Sequence, residues 1–216
     1  MGFQDQTGRE IDWDKVKAAI FDVDGTLYCQ RPVRIRMALK MGRFFLLHPR
    51  RWREAAGIYY FRKLREQEEY RTQSPEAQAA AAAEKAGIRE NGRLDGAIRR
   101  WMFQEPLAAV AAHGRQDVLD LLRRLKREGK RIIIYSDYAP EDKLSALGVT
   151  ADAVYYPGHG GVEELKPSEK SMKLILEKEN ISASDTVYLG DREEKDGRSA
   201  ALMGIRYIQV KGGKKR

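Results

Sequence analysis

The chain has 216 residues, 42% of them apolar and 33% charged, and a net charge of +8 at pH 7. That length suits one ordinary domain or a core with a substantial insertion, and that balance excludes intrinsic disorder. No apolar run approaches bilayer-spanning length, the polar, acidic start MGFQDQTGREIDWD is unlike a secretory signal, and the single cysteine, Cys29, excludes an internal disulfide and fits a reducing cytoplasm.

The first element is AAIF, Ala18 to Phe21, an apolar run stopped by the turn signal Asp24-Gly25. It reads as a buried strand, although periodicity alone leaves a piece of helix open. Asp22 and Asp24 follow at its end. In extended backbone, residues i and i+2 point to one side about 6.6 Å apart, which sets both carboxylates over the region where open α/β sheets bind ligands. Gly25 permits the sharp turn, and Thr26 can tie its hydroxyl back to the loop backbone. Two carboxylates this close repel unless a cation or a proton joins them, so the loop asks for a metal. Cys29 lies near this loop, where a reactive role is open and a small apolar filler is the commoner use.

After Tyr28 the pattern is helical for roughly 80 residues. Pro32 can open a helix through RIRMALKMGRFFLL, interrupted near His48-Pro49. A second helix starts at about Arg51, with Trp52, Ala55, Ala56, Tyr59, Tyr60 and Leu64 on one face and Arg53, Arg62, Lys63 and Arg65 on the other. Ser74-Pro75 is an N-cap followed by proline at the first helical position, and AQAAAAAEKAG continues that helix to Gly87. One more helix fits between Gly92 and Glu105. Between Arg31 and Arg71 the chain carries twelve Lys and Arg against four Glu, which is its whole net charge.

From Gly114 helix and strand alternate. DVLDLLRRLKREGK presents Val118, Leu121, Leu122 and Leu125 on one face and ends at Gly129. RIIIY is a buried strand followed by Ser136, PEDKLSALG a short helix, and AVYYPG another strand. Lys166-Pro167-Ser168 starts a helix with Met172, Ile175 and Leu176 inward. TVYL is a strand ending in a second acidic loop, GDREEKD, then SAALMG is a helix and RYIQV a last strand; the tail KGGKKR reads as mobile. Such alternation implies an α/β fold, a Rossmann-like doubly wound parallel sheet covered on both faces. The 114 residues from Asp22 to Ser136 far exceed a normal crossover. Residues 30–112 are therefore an α-helical insertion into a core made of 1–29 and 113–216.

DVDGTL after an apolar strand resembles the first motif of the haloacid dehalogenase (HAD) superfamily, and the chain is similar to its phosphoglycolate-phosphatase-like members with an α-helical cap. Ser136 after RIIIY resembles the second motif, Lys166 in ELKPS the third, and Gly190-Asp191 with Asp196 the fourth, all in the family's order. Each alone has a bland reading: turn chemistry for Asp24-Gly25 and Ser136, a solvated lysine for Lys166. Order and setting together carry the resemblance. It implies a Mg²⁺-dependent phosphatase acting on a small phosphorylated substrate through an aspartyl-phosphate. Asp22 would be the nucleophile and Asp24 the acid and base. Ser136, Lys166 and Thr26 would bind phosphate, and Asp22, the Asp24 backbone carbonyl, Asp191 and Asp196 would hold the metal. Dehalogenases of the superfamily lack the second aspartate, so Asp24 argues against carbon–halogen chemistry. Glu193 and Glu194 read as solvated. His48, His113 and His159 lack metal spacing, so zinc is not expected.

Three other readings stay open: a phosphomutase on the same core, a mainly binding role of the basic segment toward nucleic acid or an anionic membrane surface, and the fold kept as a scaffold with weak catalysis, against which the intact four-part set counts. Trp52, Tyr59 and Tyr60 could form a stacking platform, but aromatics at helical spacing are usually core, and the insertion has no nucleic-acid motif. Steering of an anionic substrate by arginines such as Arg50, Arg51 and Arg53 is the favoured use of that charge. The sequence does not separate monomer from homodimer.

Overall fold

The strands of the sheet are short and mostly apolar, and all pair in parallel. β1 (Ala18–Phe21), β2 (Arg131–Tyr135), β3 (Ala153–Tyr155), β4 (Thr186–Gly190) and β5 (Arg206–Gln209) lie in the order β3-β2-β1-β4-β5. The computed structural model describes residues 3–90 and 92–210; the tail KGGKKR lies outside the described residues. β1 is central, with Ile20 opposite Ile133 on one side and Tyr188 on the other, and all four of its residues are fully buried. Burying a side chain such as Ile20 or Phe21 stabilises by about 1.5–3 kcal/mol.

Strand alternation sorts side chains into two cores. Ala19, Phe21, Ile132, Ile134, Val187 and Leu189 face one of them, where α6 (Gln116–Arg127) packs Val118, Leu122 and Leu125 and α7 (Glu141–Leu147) packs Leu144 and Leu147. Ala18, Ile20, Ile133, Tyr135 and Tyr188 face the other, covered by Met172, Ile175 and Leu176 of α8 (Glu169–Lys178) and Ala200 of α9 (Arg198–Leu202). The sheet is thus doubly wound, as the alternating pattern predicts.

Between β1 and β2 the chain is helical: α1 (Gln30–Leu47), α2 (Trp52–Leu64), α3 (Pro75–Lys85), α4 (Arg93–Ile98), a π-helical turn (Arg99–Gln104) and α5 (Leu107–Ala112). α1 stops at His48, whose successor Pro49 disfavours continuing the helix. Ser74 caps α3 by accepting the Ala77 N–H at 3.2 Å. The two segments that connect these helices to the sheet run side by side. Cys29 N–H donates to the His113 carbonyl at 2.9 Å, and Arg115 N–H to that of Leu27 at 2.9 Å.

Three details differ from expectation. The helix expected over Gly92 to Glu105 is α4 followed by the π turn; a continuing α-helix would drive the Pro106 ring against the Met102 carbonyl. α5 is too short for its period to be legible in LAAVAA. The buried face of α2 is not the aromatic one. It is Glu54, Gly57, Ile58, Phe61 and Leu64, whereas Trp52 is 55% and Tyr59 60% exposed. Gly57 is buried because Leu94 packs onto it; a Cβ there would meet Leu94 Cδ1 at 2.5 Å. Glu54 is buried because Arg51 and Arg93 hold its Oε1 at 2.8 and 3.0 Å. Arg65, expected on the charged face, is buried as well and bonds Gln78.

Candidate active site

Parallel pairing brings the carboxyl ends of β1, β2 and β4 to one edge, and the residues that follow them meet there. Asp22 N–H extends the ladder, donating to the Leu189 carbonyl at 2.9 Å. The Asp22 carboxylate, 5% exposed as a residue, accepts Lys166 Nζ at 2.6 Å on one oxygen and the Thr26 hydroxyl at 3.0 Å on the other. Thr26 therefore bonds the Asp22 side chain rather than the loop backbone. Lys166 also donates to Asp196 at 2.6 Å, an oxygen that accepts the Tyr188 hydroxyl at 3.0 Å. The other Asp196 oxygen accepts Arg192 N–H at 3.1 Å. Glu193 and Glu194 are exposed, with Glu194 taken by Arg192.

Asp22, Asp191 and Asp196 each bring a carboxylate oxygen within 4.8 Å of the others. Three carboxylates share this volume with one ammonium, so ionisation of all three leaves an excess of negative charge. Burial accordingly pushes the Asp22 carboxyl up to about 8; Lys166 opposes the rise and Asp196 adds to it. Burial and Asp196 push Asp191 up to about 6. Burial pulls Lys166 down, yet Asp196 and Asp22 hold its ammonium protonated well above the ordinary range. One Asp191 oxygen, Oδ1, is buried with no hydrogen-bond donor. The other lies against Gly25, where a Cβ would come within 2.0 Å of it. Gly25 also has φ +100°, so only glycine serves both the turn and this approach. An oxygen-only donor set, an orphaned carboxylate oxygen and excess negative charge fit a hard dication.

Asp24 stands apart from this cluster. Its carboxylate accepts Lys143 Nζ at 2.5 Å and the Tyr28 hydroxyl. Burial works against its charge, but the Lys143 ammonium and these hydrogen bonds hold it below the usual carboxylate range. Ser136 borders the same cavity; its oxygen accepts Tyr138 N–H at 3.2 Å, which leaves the hydroxyl proton free to donate. Asp137 accepts Lys166 N–H at 2.8 Å and Lys195 Nζ at 3.0 Å, fixing the Lys166 loop to the GDREEKD loop.

The cavity above these groups has a volume of about 680 Å³. Its far wall comes from the helices between β1 and β2 and is largely apolar, with Met37, Met41, Ile58, Trp101 and Met102. Arg34, Arg62 and Lys63 also line it, whereas Arg51 is engaged by Glu54 and Arg53 by the Gly87 carbonyl. Glu66 and Arg65 are among the residues that tie this wall to the sheet side. Glu66 takes both Arg192 nitrogens at 3.1 Å and Lys195 at 3.2 Å, and Arg65 donates to the Asp137 carbonyl.

All of Asp22, Asp24, Ser136, Lys166, Asp191 and Asp196 border this one cavity, while Thr26 lies behind Asp22, fully buried. Sequence reading passes over Lys143, Tyr28, Asp137, Lys195 and the Glu66 pair. Tyr28 and Asp137 adjoin the motifs and could be found by proximity. Lys143 and Glu66 reach the site through tertiary packing, which no spacing records.

An α/β fold with this acidic constellation beyond three adjacent parallel strands defines a class of metal-fitting hydrolase. Residues 16–204 match the family model of haloacid dehalogenase-like hydrolases, and the chain belongs to that family. Its fold is similar to YfnB of Bacillus subtilis, a provisionally assigned HAD-hydrolase bound to magnesium (TM-score 0.59, 17% identity, 89% of this chain and 87% of that one). It is also similar to a HAD phosphatase from Thermococcus onnurineus (TM-score 0.54, 18% identity, 93% and 89%). L-2-haloacid dehalogenase from Xanthobacter autotrophicus, with chloropropionic acid covalently bound, is alike as well (TM-score 0.60, 18% identity, 90% and 77%). A search of curated proteins finds no match.

Proposed function

We propose that the protein is a Mg²⁺-dependent phosphatase that hydrolyses a small phosphomonoester through an aspartyl-phosphate on Asp22. The observation that carries this reading is Asp24, held at the cavity by Lys143 and Tyr28 two residues after Asp22. A halide leaves carbon without a proton, whereas an alkoxide leaving phosphorus needs one, so a dedicated acid and base belongs to ester hydrolysis. The Asp22 and Asp191 carboxylates and the Asp24 backbone carbonyl would hold Mg²⁺, with Asp196 in support, and the ion would offset negative charge on the phosphoryl oxygens.

The residues of the chain divide the remaining work. The Thr26 hydroxyl and Lys166 ammonium fix the Asp22 carboxylate from two directions, leaving it oriented for in-line attack on phosphorus. Ser136 donates its free hydroxyl proton to a phosphoryl oxygen, and Lys166 neutralises charge beside it. Arrival of a phosphate dianion next to Asp24 raises that carboxyl's proton affinity, so substrate binding loads the acid. Asp24 gives this proton to the leaving alkoxide as the P–O bond to the alcohol breaks. It then takes a proton from the water that attacks the aspartyl-phosphate, releasing phosphate and regenerating Asp22. Residues 30–112 act as a cap over the core, and their apolar wall favours an alcohol with an aliphatic or aromatic body over a polyol.

A panel of phosphomonoesters with Mg²⁺ at neutral pH tests this. Aryl and alkyl phosphates should release phosphate, and Asp22→Asn should lower turnover by about 10⁴-fold while the fold survives. Chloride release from a 2-haloacid, with every phosphomonoester inert, would reverse the reading.

A further inference from the structure

The outer face of α1 is apolar where a surface helix ordinarily presents polar groups. Val33, Met37 and Phe45 are buried against the rest of the molecule, while Ile35, Leu39 and Leu46 form a second apolar row on the opposite side. These three are 53%, 72% and 74% exposed, and Leu47 and Trp52 beyond them are 66% and 55% exposed. With Tyr59, they are all of the large exposed hydrophobic side chains among the described residues except Leu202. Scattered exposed leucines need no explanation; their concentration on two consecutive helices marks a contact surface.

Charge decides what it contacts. No acidic residue occurs from Arg31 to Arg53. At helical spacing Arg36 and Arg43 border the apolar row on one side and Arg31 on the other, and all three are exposed. A second copy of this chain would set arginine against arginine across the interface. Acyl chains edged by anionic headgroups match both features, with leucine and tryptophan at the acyl boundary and arginines at the phosphates. We propose that this face docks on an anionic lipid bilayer, with α1 lying in the interface plane over its length of about 27 Å. No helix of the described residues is long and apolar enough to cross a membrane, so the attachment is peripheral and reversible. Arg34 and Met41 line the cavity from the other side of the same helix, so in the docked state α1 stands between the lipid surface and the cavity.

Co-sedimentation of the full chain with phosphatidylcholine vesicles, with and without phosphatidylglycerol, tests the proposal. Binding should require phosphatidylglycerol and weaken as salt rises. Leu39→Glu with Leu46→Glu should weaken it by about a hundredfold, the loss of two buried leucines. Arg36→Glu with Arg43→Glu should abolish the preference for anionic lipid. Both double variants should keep the wild-type circular dichroism spectrum and turnover of a water-soluble phosphomonoester; if the glutamates unfold the chain, Leu39→Ala with Leu46→Ala gives the same direction. Wild-type protein left in the supernatant with anionic vesicles, or bound equally to neutral ones, overturns the proposal. So does a wild-type dimer in analytical ultracentrifugation that the leucine variant turns into monomers, which would assign the face to a second copy.

Discussion

Asp24 is the residue whose surroundings most constrain the chemistry. In the proposed reaction the Asp24 carboxyl would serve as both acid and base and exchange its proton within each turnover, and Lys143 would set where that exchange falls. Lys143→Met removes the ammonium and lets burial govern, so the Asp24 carboxyl moves up from its depressed position. As the proposed base, Asp24 would have to be ionised to take the proton of the attacking water. The acidic limb of the kcat profile should therefore move to higher pH, and kcat at neutral pH should fall by about tenfold. An unmoved limb in a variant that folds normally would show that Lys143 does not tune Asp24. Lys143→Arg, which restores a cation, should return the limb toward its original place.

At the scale of elements, the helices between β1 and β2 carry the excess charge, but only part of it reaches the cavity. Arg62 and Lys63 on α2 line that space and pair with no carboxylate among the described residues. Reversing both to Glu should raise KM by about tenfold and flatten its dependence on salt, with kcat little changed. Reversing Arg50 and Arg53 should change KM much less, because neither borders the cavity. The sheet, its cover on both faces and the helix limits at Gly87, Gly129 and Gly204 were legible, because strand and helix periods and glycine stops are local properties. The positions of Asp22, Asp24, Ser136 and Asp191 just past strand ends, and of Lys166 shortly before a helix, were legible because those settings are local too. The buried face of α2 was not: a buried Glu54 depends on Arg93, far along the chain, and a buried Gly57 depends on where Leu94 packs. Lys143 and Glu66 escaped for the same reason, since their partners are set by how helices dock, which periodicity does not encode.

For the molecule as a whole, the acidic cluster ties stability to pH and, in the proposed metal-bound form, to the cation. Without a cation, Asp22 titrates at about 8 and Asp191 at about 6, both above the unfolded value of 3.8. Across that window the native state keeps protons that the unfolded chain has released, so native stability falls as pH rises from about 4 to about 8. A dication requires these carboxylates ionised and removes that penalty. Mg²⁺ should accordingly raise Tm more near pH 8 than near pH 5, its stabilisation at pH 8 reaching about 2.7 kcal/mol at a hundred times its Kd. Asp191→Asn should flatten the pH dependence of the metal-free melt and reduce the Mg²⁺ effect together. A Tm gain that is the same at both pH values would separate metal binding from this cluster.

The paired crossing at Cys29 and His113 also bears on how the chain reaches this state. β1 must meet β2 in the register Ala18 to Arg131, across more than a hundred residues of intervening chain. Once the helices have formed and the Cys29 N–H and His113 carbonyl are joined, only two short segments remain to be closed. Closure over the shortened path is easier by about 1 kcal/mol. The intervening helices would thus serve as a splint during folding, and refolding should be paced by their assembly rather than by the search for strand register. Substituting Arg115 with proline, which deletes the N–H donated to Leu27, should slow refolding more than it speeds unfolding.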